Sequence, residues 1–86
     1  MMLTWASQAW QDYLYWQARD RKTLERINML IKDIQRQPSD GLGDPEPLRH
    51  QWSGYWSRRI DREHRLVYKV TDSAIVIVQC RYHYGK

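Results

Sequence analysis

Tyr55-Trp56-Ser57-Arg58-Arg59-Ile60, His64-Arg65-Leu66-Val67-Tyr68-Lys69-Val70 and Ala74-Ile75-Val76-Ile77-Val78-Gln79-Cys80-Arg81-Tyr82-His83 are three consecutive runs rich in β-branched and aromatic residues. Gly54 opens the first. Asp61-Arg62-Glu63 and Thr71-Asp72-Ser73 separate them as turns. Strands joined by short turns make an antiparallel meander. Parity places Ile75, Ile77, Gln79, Arg81 and His83 on one side of the last strand, and Val76, Val78, Cys80, Tyr82 and Tyr84 on the other. That strand is apolar on both sides at its start and polar only near its end. The sheet is therefore expected to be partly open there, with Arg81 and His83 projecting from one face. Arg58 and Arg59 face opposite sides, and parity alone does not say which reaches solvent.

Upstream of the meander, Pro38 to Pro47 holds three prolines and two glycines and reads as a loop, stiffened by proline more than by packing. Before it, Leu24, Ile27, Leu30, Ile31 and Ile34 recur at helical spacing, with Asp33 among the polar residues of the other face. Asp20 is the natural N-cap of that helix, and Pro38 ends it. An earlier helix carries Trp10, Tyr13, Leu14 and Gln17 on one face and Asp12 on another, with Ser7 as its expected N-cap. Met2-Leu3-Thr4-Trp5 reads as a short strand. Two helices on one face of a mainly antiparallel sheet give an α+β domain spanning residues 1–86.

The chain has 86 residues, enough for one core and no second domain. A domain this small buries only about 60–65% of the surface its unfolded chain exposes. Five tryptophans and six tyrosines compensate for the absence of phenylalanine. No apolar run approaches the roughly 20 residues that span a bilayer. The N-terminus lacks a basic segment before an apolar stretch, so no cleaved signal peptide is expected. The single cysteine, Cys80, reads as a small core residue, and the chain as cytoplasmic. The three histidines and one cysteine show no zinc-ligand spacing, so no metal or cofactor is expected. The net charge of +4 is uneven. Residues 1–48 carry six Lys/Arg and seven Asp/Glu, whereas residues 49–86 carry eight and three. The sheet half is thus basic and aromatic, which suits a polyanion with stackable bases and equally suits an ordinary solvated face.

Arg81-Tyr82-His83-Tyr84 concentrates an arginine that can grip phosphate, a histidine that can move a proton, and aromatics that can stack on a base. These are the parts of a site that handles RNA. A strand that merely ends in polar residues would look the same.

Several separated motifs resemble, in order, the YoeB toxins of the RelE-like ribosome-dependent mRNA interferases. They are Asp12-Tyr13-Leu14-Tyr15-Trp16, Pro45-Glu46-Pro47-Leu48, Ser53-Gly54, Trp56-Ser57-Arg58-Arg59-Ile60, Glu63-His64-Arg65-Leu66-Val67-Tyr68 and Cys80-Arg81-Tyr82-His83-Tyr84. The resemblance runs from about Leu3 to Tyr84. It implies a RelE-like microbial ribonuclease fold, cleavage of mRNA in the ribosomal A site, and neutralisation by a YefM-like antitoxin; a homodimer is left open. Carried onto this chain, the general base falls on Glu46, the general acid on His83, and the phosphate-binding and transition-state arginines on Arg65 and Arg59. The terminal aromatic falls on Tyr84. Arg49, His50, Glu63 and Arg81 complete the expected substrate contacts. The family usually has a lysine before the loop histidine; here Arg49 keeps the charge but presents a planar fork instead of a point.

The chemistry fits those residue types. RNA carries its own nucleophile, the 2′-OH beside each phosphate. Its cleavage needs a base, an acid and cations for charge growing on the phosphoryl oxygens. Each residue also has a plain reading. Glu46 can be a solvated loop glutamate, and His83 a partly buried histidine bonded to backbone. Arg65 can form an edge ion pair with Glu63 or Asp61. Trp52, Tyr55 and Trp56 can stack on bases, although core packing accounts for at least two of them. The competing function is a non-catalytic RNA- or ribosome-binding module using the same face, with a purely protein-binding partner as a third.

Overall fold

The meander forms as its sequence suggests. The structure, a computed structural model, describes residues 1–83. In chain order the elements are β1 (Met2–Trp5), α1 (Ser7–Arg19), α2 (Arg21–Arg36), β2 (Glu46–Pro47), a 3-10 turn at His50–Trp52, β3 (Tyr55–Arg59), β4 (Arg65–Val70) and β5 (Ala74–Gln79). The sheet order is β1-β5-β4-β3-β2. All neighbours are antiparallel except β1, which runs parallel to β5.

Both helices bury their apolar faces against one side of the sheet. Ile27, Leu30, Ile31 and Ile34 of α2 meet Leu66 and Tyr68 of β4 and Ile75 and Ile77 of β5 in one cluster. Each fully buried aliphatic side chain there contributes about 1.5–3 kcal/mol. Asp20 caps α2 as expected, its carboxylate accepting from the Thr23 N–H at 3.1 Å and the Thr23 hydroxyl at 2.9 Å.

The first helix departs from expectation. Its N-cap is Ala6, not Ser7. The Ala6 N–H is already bonded to Ile77 O at 2.9 Å, so the chain leaves the sheet directly into the helix. Its buried line is Ala9, Asp12 and Trp16, whereas Trp10 and Leu14 are exposed. Asp12 is drawn inside because its carboxylate accepts from the Cys80 N–H at 3.1 Å and from the Gln8 amide at 2.9 Å. A polar residue on the inner face thus closes the end of β5.

The loop between Pro38 and Pro47 is held by hydrogen bonds as much as by proline. Arg58 turns to the core side with no exposed surface and donates to Asp33, Gln37 O, Asp40 O and Leu42 O. Asp33, expected on the solvated face, is buried as its partner. Gly41 has φ +109°, and a Cβ there would lie 2.1 Å from the Asp33 carboxylate. No side chain fits inside this cage. The loop then re-enters the sheet as β2, a strand not anticipated from sequence.

The last strand is shorter than expected. The β4–β5 register slips between Val67 and Tyr68: Val67 faces Gln79 while Tyr68 faces Ile77, leaving Val78 over as a bulge. Pairing stops at Gln79, and Tyr82 adopts φ +65°. The left-handed Tyr82 breaks the alternation between Arg81 and His83, which line different hollows and do not share a face.

Candidate functional site

The face of the sheet away from the helices is built by register. Glu46 on β2 is the Cα partner of Ser57 on β3, and Arg59 on β3 is the partner of Arg65 on β4. Ser57 and Arg59 are two residues apart and therefore point the same way. These four side chains line one cleft of about 210 Å³ together with Asp44 and His83. Arg58, between Ser57 and Arg59, necessarily points to the core. The arginine pair that parity left undecided is thus divided, one inward and one to the cleft.

Two arginines directly opposite each other repel and weaken a sheet. An anion placed between them reverses the sign of that interaction. Asp44 offsets it only weakly, its carboxylate standing 4.0 Å from Arg59 Nε with both side chains well exposed. Arg65 is buried and oriented by the β3–β4 turn. Its Nη1 donates to Asp61 O at 2.8 Å, His64 O at 3.1 Å and Arg62 O at 3.3 Å. In place of the alternative edge ion pair with Glu63 or Asp61, backbone carbonyls fix the guanidinium without neutralising it.

Glu46 also borders a larger hollow of about 530 Å³, lined by residues 46–52 and so including Arg49 and His50. Trp52 lines it too and meets Tyr55 edge-on at 5.4 Å, while Trp56 packs against the core. The non-glycine residues with positive φ are Asp44 (55°), His50 (58°) and Tyr82 (65°) among the described residues. Asp44 and His50 line these two hollows, and Tyr82 directly precedes His83. Backbone strain of about 1–3 kcal/mol per residue survives only where the surroundings impose it, and it gathers at functional sites.

The expected site residues are therefore sorted by the fold. Glu46, Arg59, Arg65 and His83 converge, and Arg49 and His50 lie in the adjoining hollow. Glu63 stands apart on the turn, 3.6 Å from His64 Nε2. Arg81 is drawn to α1, its guanidinium 3.5 Å from the Tyr15 ring centroid, in a different hollow with Arg19. Tyr84 lies outside the described residues. Asp44 and Ser57 join the cleft without having been anticipated; strand parity from Arg59, two residues further along β3, was the signal that could have found Ser57. Among the described residues, no three His, Cys, Asp or Glu side chains converge as metal ligands.

The family described as YoeB-like toxin of bacterial type II toxin-antitoxin system matches residues 5–84. Toxin YoeB of Escherichia coli (strain K12) is 57% identical over 84 residues, which cover 98% of this chain and 100% of that protein. The solved YoeB/ParE toxin from Agrobacterium tumefaciens has a TM-score of 0.95 at 49% identity, covering 98% of this chain and 100% of the other. YoeB of Staphylococcus aureus has been solved as a dimer and in a heterotetrameric complex with YefM. Those chains are 47% identical with TM-scores of 0.91 and 0.90, and the match covers 98% of each chain. With identity this high along nearly the whole length, the chain belongs to the YoeB-like toxins of bacterial type II toxin–antitoxin systems.

Proposed function

We propose that this toxin is a ribosome-dependent endoribonuclease of the cytoplasm that inhibits translation by cutting mRNA in the ribosomal A site. The observation that carries the reading is the convergence of Glu46, Arg59, Arg65 and His83 on one cleft. In the reaction, Glu46 accepts the 2′-OH proton and the freed oxygen attacks the adjacent phosphorus. The bond from phosphorus to the 5′ oxygen breaks, and His83 gives that oxygen a proton. Arg59 and Arg65 take up the charge that grows on the phosphoryl oxygens, where fixed donors act most strongly. Arg49 and His50 would hold a neighbouring nucleotide in the larger hollow. The attack needs no protein nucleophile and no metal.

Primer extension on mRNA with and without ribosomes tests this. Cleavage is expected only with ribosomes, leaving a 2′,3′-cyclic phosphate or its 3′-phosphate product. A 2′-deoxy substitution at the scissile nucleotide should stop cleavage while leaving binding intact. Cleavage of the deoxy substrate at the normal rate would refute the mechanism. Binding without cleavage of either substrate would favour the non-catalytic module.

YoeB of Staphylococcus aureus forms a complex with YefM and also a dimer. By analogy, this chain is inhibited by a YefM-like antitoxin whose acidic segment folds across Arg59, Arg65 and His83. Its association rate should fall with added salt. Amide exchange at residues 80–83 should slow on binding; protection confined to α1 and α2 would place the antitoxin elsewhere.

A further inference from the structure

Resting on the ribonuclease reading, a second histidine bears on the cleft from behind. His64 Nδ1 accepts the Tyr82 N–H at 2.7 Å. The carbonyl of the same residue accepts the Arg65 N–H at 2.9 Å. His64, the last residue of the β3–β4 turn, and Arg65, the first of β4, thus grip both sides of Tyr82, which is the left-handed residue immediately before His83. The His64 ring is itself wedged. Trp16 meets it edge-on at 4.8 Å, and the Trp16 indole N–H donates to Cys80 O at 2.8 Å. The Gln79 amide adds a bond to Arg81 O at 2.8 Å.

A left-handed tyrosine costs about 1–3 kcal/mol, so it relaxes unless held. Relaxation at Tyr82 would swing the next residue, and the next residue is His83. The bond that holds it exists only when Nδ1 carries a lone pair. In the neutral ring the proton then sits on Nε2, toward Glu63 Oε1 at 3.6 Å. A protonated ring would present N–H to N–H at Tyr82.

We infer that neutral His64 is a positioning residue that holds the turn at residues 80–83 so that His83 stays in the cleft, and that protonation of His64 releases this turn. The groups around the ring come from its own turn, from the start of β4 and from Tyr82. Asp61 accepts the His64 N–H at 2.7 Å, and Glu63 faces Nε2. The Arg65 guanidinium bonds the His64 carbonyl, and the Tyr82 phenol ring lies 6.0 Å away. From α1 the ring meets uncharged Trp16.

The test uses the full chain and two substitutions. His64→Leu removes the acceptor. His64→Asn places an amide oxygen near the Nδ1 position and does not titrate. In the wild type, the Tyr82 amide resonance should shift as pH is lowered, and in His64→Asn it should stay flat. In His64→Leu the Tyr82 amide should exchange at least about tenfold faster, the loss of roughly one hydrogen bond. Single-turnover cleavage at saturating ribosomes should fall about tenfold in His64→Leu with little change in half-saturating concentration, and His64→Asn should restore most of it. A wild-type cleavage rate in His64→Leu, or a Tyr82 amide insensitive to pH in the wild type, would overturn the proposal. Should His64→Leu fail to fold, the wild-type titration and the Asn variant still decide. The amide measurements need no activity, so a chain that cuts no RNA would refute the ribonuclease reading while leaving this clamp to be judged by itself.

Discussion

Replacing Arg58 by methionine should be among the most damaging single changes in this chain, although Arg58 never reaches the cleft. Its guanidinium makes five hydrogen bonds: to Asp33 at 2.6 Å, Gln37 O at 2.6 Å, Asp40 O at 2.8 Å, Leu42 O at 3.1 Å and the Tyr68 hydroxyl at 3.2 Å. Methionine approximates the apolar stem and keeps none of these. Removing one partner of a buried pair costs about 3–5 kcal/mol. The three loop carbonyls lie near the surface, where water can replace the lost donor, so they add little. For a domain of this size about 1 kcal/mol moves Tm by roughly 4–8 °C, which sets the expected loss at about 12 °C or more. Urea melts should show a lower midpoint with an unchanged slope. Arg58→Lys should fall in between, because one ammonium retains the charge but cannot serve three carbonyls and a carboxylate. A loss in Arg58→Met below about 4 °C would refute the view that this cage, and not the prolines, holds the loop that carries Glu46.

Glu46→Gln and His83→Gln keep approximate shape but remove proton transfer, so each should lower single-turnover cleavage at least about tenfold with a much smaller change in ribosome binding. The Leu42 N–H, then the Arg58 guanidinium, hold the Asp33 carboxyl down at about 2 against an ordinary 3.8. A folded-state value below the unfolded one means this contribution is complete above about pH 4 and is lost as pH falls from there toward 2. Urea midpoints across that range should drop in the wild type and much less in Asp33→Asn. Burial, then the Asp12 carboxylate, pushes the Cys80 thiol well above its ordinary range. Aromatic disulfide reagents should therefore label the native protein only as fast as it opens, and rapid labelling without denaturant would contradict the packing around α1 and β5.

What the sequence carried well was local and periodic. The stripe from Leu24 to Ile34 became the buried face of α2, and turn residues marked the meander to within a residue or two. What it carried poorly were decisions made by distant partners. Asp12 and Asp33 sit on helices where composition puts them in solvent, yet each is drawn inside by a donor that arrives much later in the chain, the Cys80 N–H and Arg58. The bulge at Val78 depends on how β4 meets β5, and no property of residues 74–83 alone reveals it. The site shows the same division. Glu46, Arg59, Arg65 and His83 were found through resemblance and then met in one cleft, whereas Asp44 arrives there with the loop that Arg58 ties down.

Two pairs of neighbours in the sequence show how so small a chain builds a site without a dedicated supporting layer. In Arg58-Arg59, strand alternation sends one guanidinium inward, where it ties down the loop that brings Glu46 to β3, and sends the other to the cleft. In His64-Arg65, one side chain holds the turn that leads into His83, and the other lines the same cleft while its backbone N–H completes the hold on Tyr82. Each pair thus couples a group lining the cleft to a group that fixes a carboxylate or an imidazole arriving from elsewhere in the chain. Arg59 and Arg65 are also cross-strand partners, so the two couplings meet at a single register position. A one-residue slip of β3 on β4 would exchange inward and outward residues in one strand and dismantle both. The register of the meander is consequently as much a determinant of the site as any residue in it. Its anchors are the core side chains Leu66 and Tyr68, which tie the hydrophobic core to the geometry of the cleft.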